Sequence, residues 1–197
     1  SENDEAHFIA QRCSDLITHE KISPQEIAVL YRTNFQSRVL EEAFLNANVP
    51  YQVLGTKFFD RKEIKDIIAF IKAALNPDDL TSLKRIINVP PRGIGKVTLA
   101  KIASRREAEL SPVMLEKITN FIKILNKIKE FSEKEKPSDL IKFIIKETGL
   151  NDKLRDGTEE DLERLANMKE FVSLALKYDK LPIGESIEKL LEEQKNG

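Results

Sequence analysis

The chain has 197 residues, 41% of them hydrophobic and 33% charged, which suits one or two small soluble domains with a buried core. No apolar run approaches the roughly 20 residues of a spanning helix and no signal-peptide pattern occurs, so neither membrane residence nor export is expected. One cysteine, Cys13, and two histidines, His7 and His19, exclude a disulfide framework within the chain and a cysteine-cluster metal site, and a cytoplasmic setting is the simplest expectation.

Ala6, Ile9, Cys13, Leu16 and Ile17 recur on one face of a first helix, which makes Cys13 a small core residue and leaves the histidines on the surface. Ser23-Pro24 breaks the chain. Ile27 to Tyr31 is a short apolar run of the kind found in buried strands. Arg32-Thr33-Asn34 reads as a loop, with Asn34 as the cap of a helix whose stripe is Leu40, Ala43, Phe44 and Ala47. Asn48-Val49-Pro50 ends that helix, and Tyr51 to Leu54 reads as a second strand before Gly55. Helix, strand, helix, strand suggests part of a parallel α/β sheet, incomplete because two strands alone do not make a stable one.

Asp60 can cap a helix running from Arg61 to Leu75, with Ile64, Ile67, Ile68, Ile71, Ala74 and Leu75 at helical spacing, and Asn76-Pro77 stops it. No strand pattern follows. Helices are expected at about 78–87, 96–107, 113–134, 138–149, 159–178 and 185–194. The expected fold is therefore α/β plus all-α, mostly helical overall, with a partial α/β domain over 1–77 and a helical domain over 78–197.

The net charge of −1 conceals a segregation. Residues 1–83 carry 9 basic and 13 acidic side chains (−4), and residues 107–197 carry 16 and 20 (−4). Residues 84–106 carry Lys84, Arg85, Arg92, Lys96, Lys101, Arg105 and Arg106 and no acid (+7). A charge run is commonly a solvated helix face, but this one contains Val89-Pro90-Pro91-Arg92-Gly93-Ile94-Gly95-Lys96-Val97-Thr98 between two expected helices. Gly93 and Gly95 permit a tight turn and close approach of a ligand, and Ile94 can anchor the turn in the core. Unpaired N–H groups at the start of the next helix suit a phosphate oxygen, with Arg92 and Lys96 adding charge and Thr98 a hydroxyl. Such contacts hold a nucleic-acid backbone without reading its sequence. The pattern resembles a helix-hairpin-helix DNA-binding element; the plainer reading is an ordinary helix–helix turn.

A second signal is Tyr31 to Arg38 (YRTNFQSR), which places Arg32, Thr33, Asn34 and Arg38 just past the carboxyl end of the first expected strand, where ligands of open α/β sheets bind. Asn34 can bind phosphate or base there, or be a plain helix cap. A third is Phe58-Phe59-Asp60-Arg61-Lys62-Glu63-Ile64-Lys65-Asp66, whose aromatics can stack on bases but more commonly belong to a core. No G-x-x-x-x-G-K-[ST] phosphate loop, no Cys/His metal set and no nucleophile with a histidine base can be assembled, so no catalysis by the chain itself is expected.

Ile27 to Phe44 (IAVLYRTNFQSRVLEEAF), Phe58 to Asp66 (FFDRKEIKD) and Arg85 to Thr98 (RIINVPPRGIGKVT), with Asn76-Pro77-Asp78-Asp79 between the last two, resemble in order and spacing the UvrD/PcrA/Rep group of superfamily 1A DNA helicases. The likeness is strong over about 5–103 and continues weakly through Arg164 to Phe171 (RLANMKEF). It implies that residues 1–77 are part of the second RecA-like motor domain, 2A, and that 78–197 are most of the helical insert, 2B. It also implies that Thr33 and Asn34 lie on the single-stranded DNA track and that Arg92 to Thr98 contact duplex DNA. The implied parent couples ATP hydrolysis, with Mg, to 3′-to-5′ translocation and strand separation, for which this chain carries no cofactor site. Ser1 in place of Met fits an excised piece of such a protein. Pro91 stands where many relatives have a basic residue, Ala166 replaces a usual acid, and the connection at Glu109 to Pro112 is short. Expected partners are single-stranded and duplex DNA, the remaining motor domains, and repair or transcription proteins. The competing reading is a regulatory module whose 107–197 helices dock on a partner protein or the motor core.

Overall fold

Seventeen residues of amphipathic pattern form α1, Glu2–Thr18. In the computed structural model, the described residues are 2–31, 36–54, 56–104, 106, 109–152, 154 and 157–196. Contacts group them into two compact units, residues 1–61 and residues 62–196.

In the first unit α1 packs against α2, Gln36–Asn46. Ala6, Ala10 and Cys13 from α1 meet Val39, Leu40, Ala43 and Phe44 from α2, with Val49 closing the cluster. Burial pushes the Cys13 thiol above its ordinary pKa, which keeps it neutral as an apolar residue. Asn48 ends α2 in the left-handed region, φ 52°, and the Val49 N–H returns to the Phe44 carbonyl at 3.0 Å. A 3₁₀ turn, Phe58–Asp60, buries Phe58 and Phe59 edge to face at 5.4 Å. Arg61 lies over Phe58 and donates to Ser37 Oγ at 2.7 Å.

The expected strands are a correction. No strand occurs among the described residues, and 27–31 and 51–54 are irregular. A strand exists only through hydrogen bonds to a neighbour, and β-branched composition supplies none by itself. Ile27 and Val29 pack onto the α1–α2 cluster, while Leu30 is 94% exposed and Leu54 88%. One face of 27–31 has found a helical core, Tyr51 of the other segment stacks on Phe44 with centroids 5.7 Å apart, and no described segment runs beside either of them as a ladder partner. The described structure is all-helical, and the α/β part of the expected fold class is not present in it.

The second unit is built around α3, Lys62–Leu75. Its apolar residues run almost all the way round, with Ile64, Ile67, Phe70 and Ile71 fully buried, as befits a central helix. It packs against α4 (Leu80–Ile86), α6 (Pro112–Ser132), α7 (Pro137–Thr148) and α8 (Glu159–Ala175). The short α5, Lys96–Ala103, follows a turn after α4. A 3₁₀ turn, Leu176–Tyr178, leads to α9, Ile183–Asn196, which packs on α7. All six helices expected after residue 77 are present.

Local chemistry sets the helix ends. Asp79 caps α4, accepting from the Ser82 N–H at 3.0 Å and its hydroxyl at 2.6 Å, and these bonds hold its carboxyl below the usual carboxylate range. Ser111 caps α6. Gly149 closes α7 with φ 72°. Thr158 and Asp161 form a capping box at α8. Two buried acids tie the helices together: Asp66 to Arg85 at 2.7 Å, and Glu63 Oε1 to Asn167 Nδ2 at 2.6 Å.

Candidate nucleic-acid interface

Residues 87–95 join α4 to α5 in a turn held from inside by two side chains. Asn88 Oδ1 accepts from the Arg92 N–H at 2.6 Å and the Ile94 N–H at 3.3 Å. Arg92 Nη1 donates to the carbonyls of Ile86, Ile87, Val89 and Pro90 at 3.2, 3.3, 2.8 and 3.2 Å. Those carbonyls lie at and just past the end of α4, and the Ile86 carbonyl also accepts the Val89 N–H at 2.9 Å. The guanidinium rests over the Phe121 ring of α6, 5.3 Å from its centroid, and burial pulls its pKa below the ordinary value. Val89-Pro90 is a cis peptide.

Gly93 takes φ 71°, a conformation that favours glycine. A Cβ on it would also lie 2.9 Å from Lys117 Nζ on α6. Ile94 is 2% exposed and pins the turn to the core. Gly95 is the N-cap of α5 with no side-chain cap bond, and a Cβ there would meet open space. The first-turn N–H groups of α5 therefore start a helix without a side-chain acceptor at the cap, a geometry suited to an anion. Val97 is exposed beside them and Thr98 is buried.

The basic block is partly neutralised from outside its own limits. Arg85 pairs with Asp66, and Lys101 and Arg106 both reach Glu109, at 3.5 and 3.6 Å. Lys84 is exposed with no acidic partner among the described residues. The Lys96 side chain and Arg105 lie outside the described residues. Of the sequence-derived candidates, Arg92, Gly93, Ile94, Gly95 and Thr98 are brought together at this turn, Arg92 and Thr98 facing inward.

The second group is only partly described. Arg32, Thr33 and Asn34 lie outside the described residues. Arg38 sits on α2, largely covered, paired with Glu42 at 2.9 Å. Phe58 and Phe59 are buried, which favours the core reading over base stacking.

Sequence reasoning missed Asn88 and Lys117. Asn88 had a readable signal, an Asx residue ahead of a Pro-rich turn. Lys117 had none, because only the packing of α6 brings it to Gly93. No group of three or more His, Cys, Asp or Glu residues placed to hold a metal ion occurs among the described residues, and none of their helices is long and apolar enough to cross a membrane.

Residues 1–114 match the family described as the UvrD-like helicase C-terminal domain. The chain belongs to that family. It is 34% identical over 198 aligned residues to an ATP-dependent DNA helicase PcrA of Staphylococcus aureus, and 37% identical over 199 to that of Staphylococcus epidermidis. Each alignment covers 91% of this chain and 27% of the relative, so the chain spans about a quarter of the length of these PcrA proteins. The UvrD-like match ends just inside α6 and so contains the whole α4–turn–α5 element. Beyond it, Asn167 of the 164–171 stretch is the buried partner of Glu63 in the FFDRKEIKD stretch.

Proposed function

We propose that this chain is the DNA-holding portion of a PcrA-like, ATP-dependent 3′-to-5′ DNA helicase. Residues 1–77 form part of motor domain 2A and contribute Arg32, Thr33, Asn34 and Arg38 to the single-stranded DNA track. Residues 78–197 form the helical 2B domain, whose Arg92–Thr98 element grips the duplex backbone. The observation that carries the reading is the α4–α5 turn: an internally hydrogen-bonded, glycine-opened loop that ends on an uncapped helix N-terminus inside the basic block. The main-chain N–H groups of Gly95, Lys96 and Val97 and the Lys96 ammonium contact phosphate, while Arg92 and Thr98 act from within by fixing the turn's shape.

The chain carries no G-x-x-x-x-G-K-[ST] loop, so ATP and Mg belong in this reading to other parts of the parent, and DNA binding is its own contribution. The remaining motor domains are the natural partners of the exposed Leu30 and Leu54. The test is equilibrium binding of the intact chain to forked and duplex DNA of unrelated sequences at low salt. Expected are weak affinities, of the order of 10⁻⁴ to 10⁻⁶ M, indifferent to sequence. Lys96→Ala should lower the salt slope by about one. Absence of binding at low salt would remove the proposal.

A further inference from the structure

Beside the turn lies a cleft of about 270 Å³, lined by Arg92, Lys117, Asn120, Phe121 and Ile124. Its floor is apolar, with Phe121 buried beneath the Arg92 guanidinium. Its other polar groups are one ammonium and one amide, and no carboxylate lines it. Lys117 is half-buried and has no acidic partner among the described residues, unlike Lys101 and Arg106. Its Nζ lies against Gly93, 2.9 Å from where a Cβ would stand. A half-buried, uncompensated cation against the turn is the chemistry that receives a phosphate oxygen. An amide next to it can donate a second bond, and the apolar floor suits the face of a deoxyribose.

We propose that Lys117 and Asn120, on α6, extend the phosphate-binding surface of the α4–α5 turn, so that one DNA strand's backbone passes from the start of α5 into this cleft. The cleft is too small for a duplex and takes a single sugar–phosphate unit. The inference rests on the DNA-binding reading above and adds α6 to an interface that the sequence confines to residues 84–106. Gly93 allows the positive φ of the turn, and the Lys117 ammonium reaches the same turn from another helix.

The test is fluorescence anisotropy of the intact chain on a labelled duplex of about 20 base pairs, titrated between about 50 and 200 mM salt. Lys117→Ala should weaken binding several-fold and reduce the salt slope by about one, and Lys117→Arg should keep both. Asn120→Ala should weaken binding with little change in slope. Lys123→Ala, an exposed lysine on α6 that does not line the cleft, should leave the slope close to that of the parent chain. Lys117→Met keeps the packed stem and loses the charge; it should match Lys117→Ala in slope while keeping the parent's thermal midpoint. If the parent chain binds and the Lys117 variants lose no more slope than Lys123→Ala, this inference is overturned and the DNA-binding reading survives. If the parent chain does not bind, both fall.

Discussion

Arg92 closes the end of α4 from the side, with one nitrogen shared among four carbonyls and its plane over Phe121. Removing it leaves those oxygens without that donor and takes a packed cation away from the ring. Arg92→Ala should therefore destabilise the second unit by about 2–3 kcal/mol, read as a lower midpoint in urea, before any effect on DNA is considered. Arg92→Lys should recover little, since an ammonium cannot reproduce the planar fork. DNA affinities of Arg92 variants are interpretable only at temperatures where the variant is folded. Glu41 on α2 is a different case. Its Oε1 is buried without a hydrogen-bond partner, and burial raises its pKa against the opposing pull of Ser37 and Arg61. An acid with a raised folded pKa costs stability above that pKa and nothing below its unfolded value. Glu41→Gln should stabilise the chain near neutral pH by of the order of 1 kcal/mol, and the gain should vanish as pH falls below about 4.5, a trend that thermal melts across pH can follow.

At the scale of elements, α3 is the hub, and its two buried acids face different helices. Glu63 receives Asn167 of α8, and Asp66 receives Arg85 of α4. Asp66 keeps a raised pKa because desolvation outweighs the nearby Arg85 guanidinium. A double-mutant cycle on Glu63→Ala and Asn167→Ala should give a coupling of at least about 1 kcal/mol, whereas Glu63 paired with the exposed Lys189→Ala should give none. The helices themselves were legible. Periodicity found α1, α2, α3 and all six later helices, because each depends on its own sequence and an apolar face. The extended segments were misread for a related reason. Ile27 to Tyr31 has the composition of a strand, but a ladder requires a partner that composition cannot supply, and Ile27 and Val29 found helices instead. The Glu63–Asn167 lock joins residues about a hundred positions apart and leaves no local trace.

On the scale of the whole molecule, packing changes at residue 62 while the sequence pattern changes at Asn76-Pro77. Helix α3 belongs by contact to the helical unit, although it precedes the Pro77 stop. Limited proteolysis should therefore leave a resistant core beginning near Lys62, ahead of α3, rather than near Asp78. The basic block was readable as a count of charges, and the glycine turn as a motif. Their meaning was only half readable. Asp66 and Glu109 neutralise three of the cations, Arg92 turns inward, and Lys117 arrives from a distant helix. These are consequences of packing, and a net charge of +7 over 84–106 overstates what a DNA strand meets.

The DNA-backbone grip proposed for this UvrD-like chain is tested most directly by the salt dependence of duplex binding by the unmodified chain. The expected result is a linear fall of log K with log salt, slope about −2 to −4, the same on duplexes of unrelated sequence. Binding that ignores salt, or that appears only on one sequence, would contradict it.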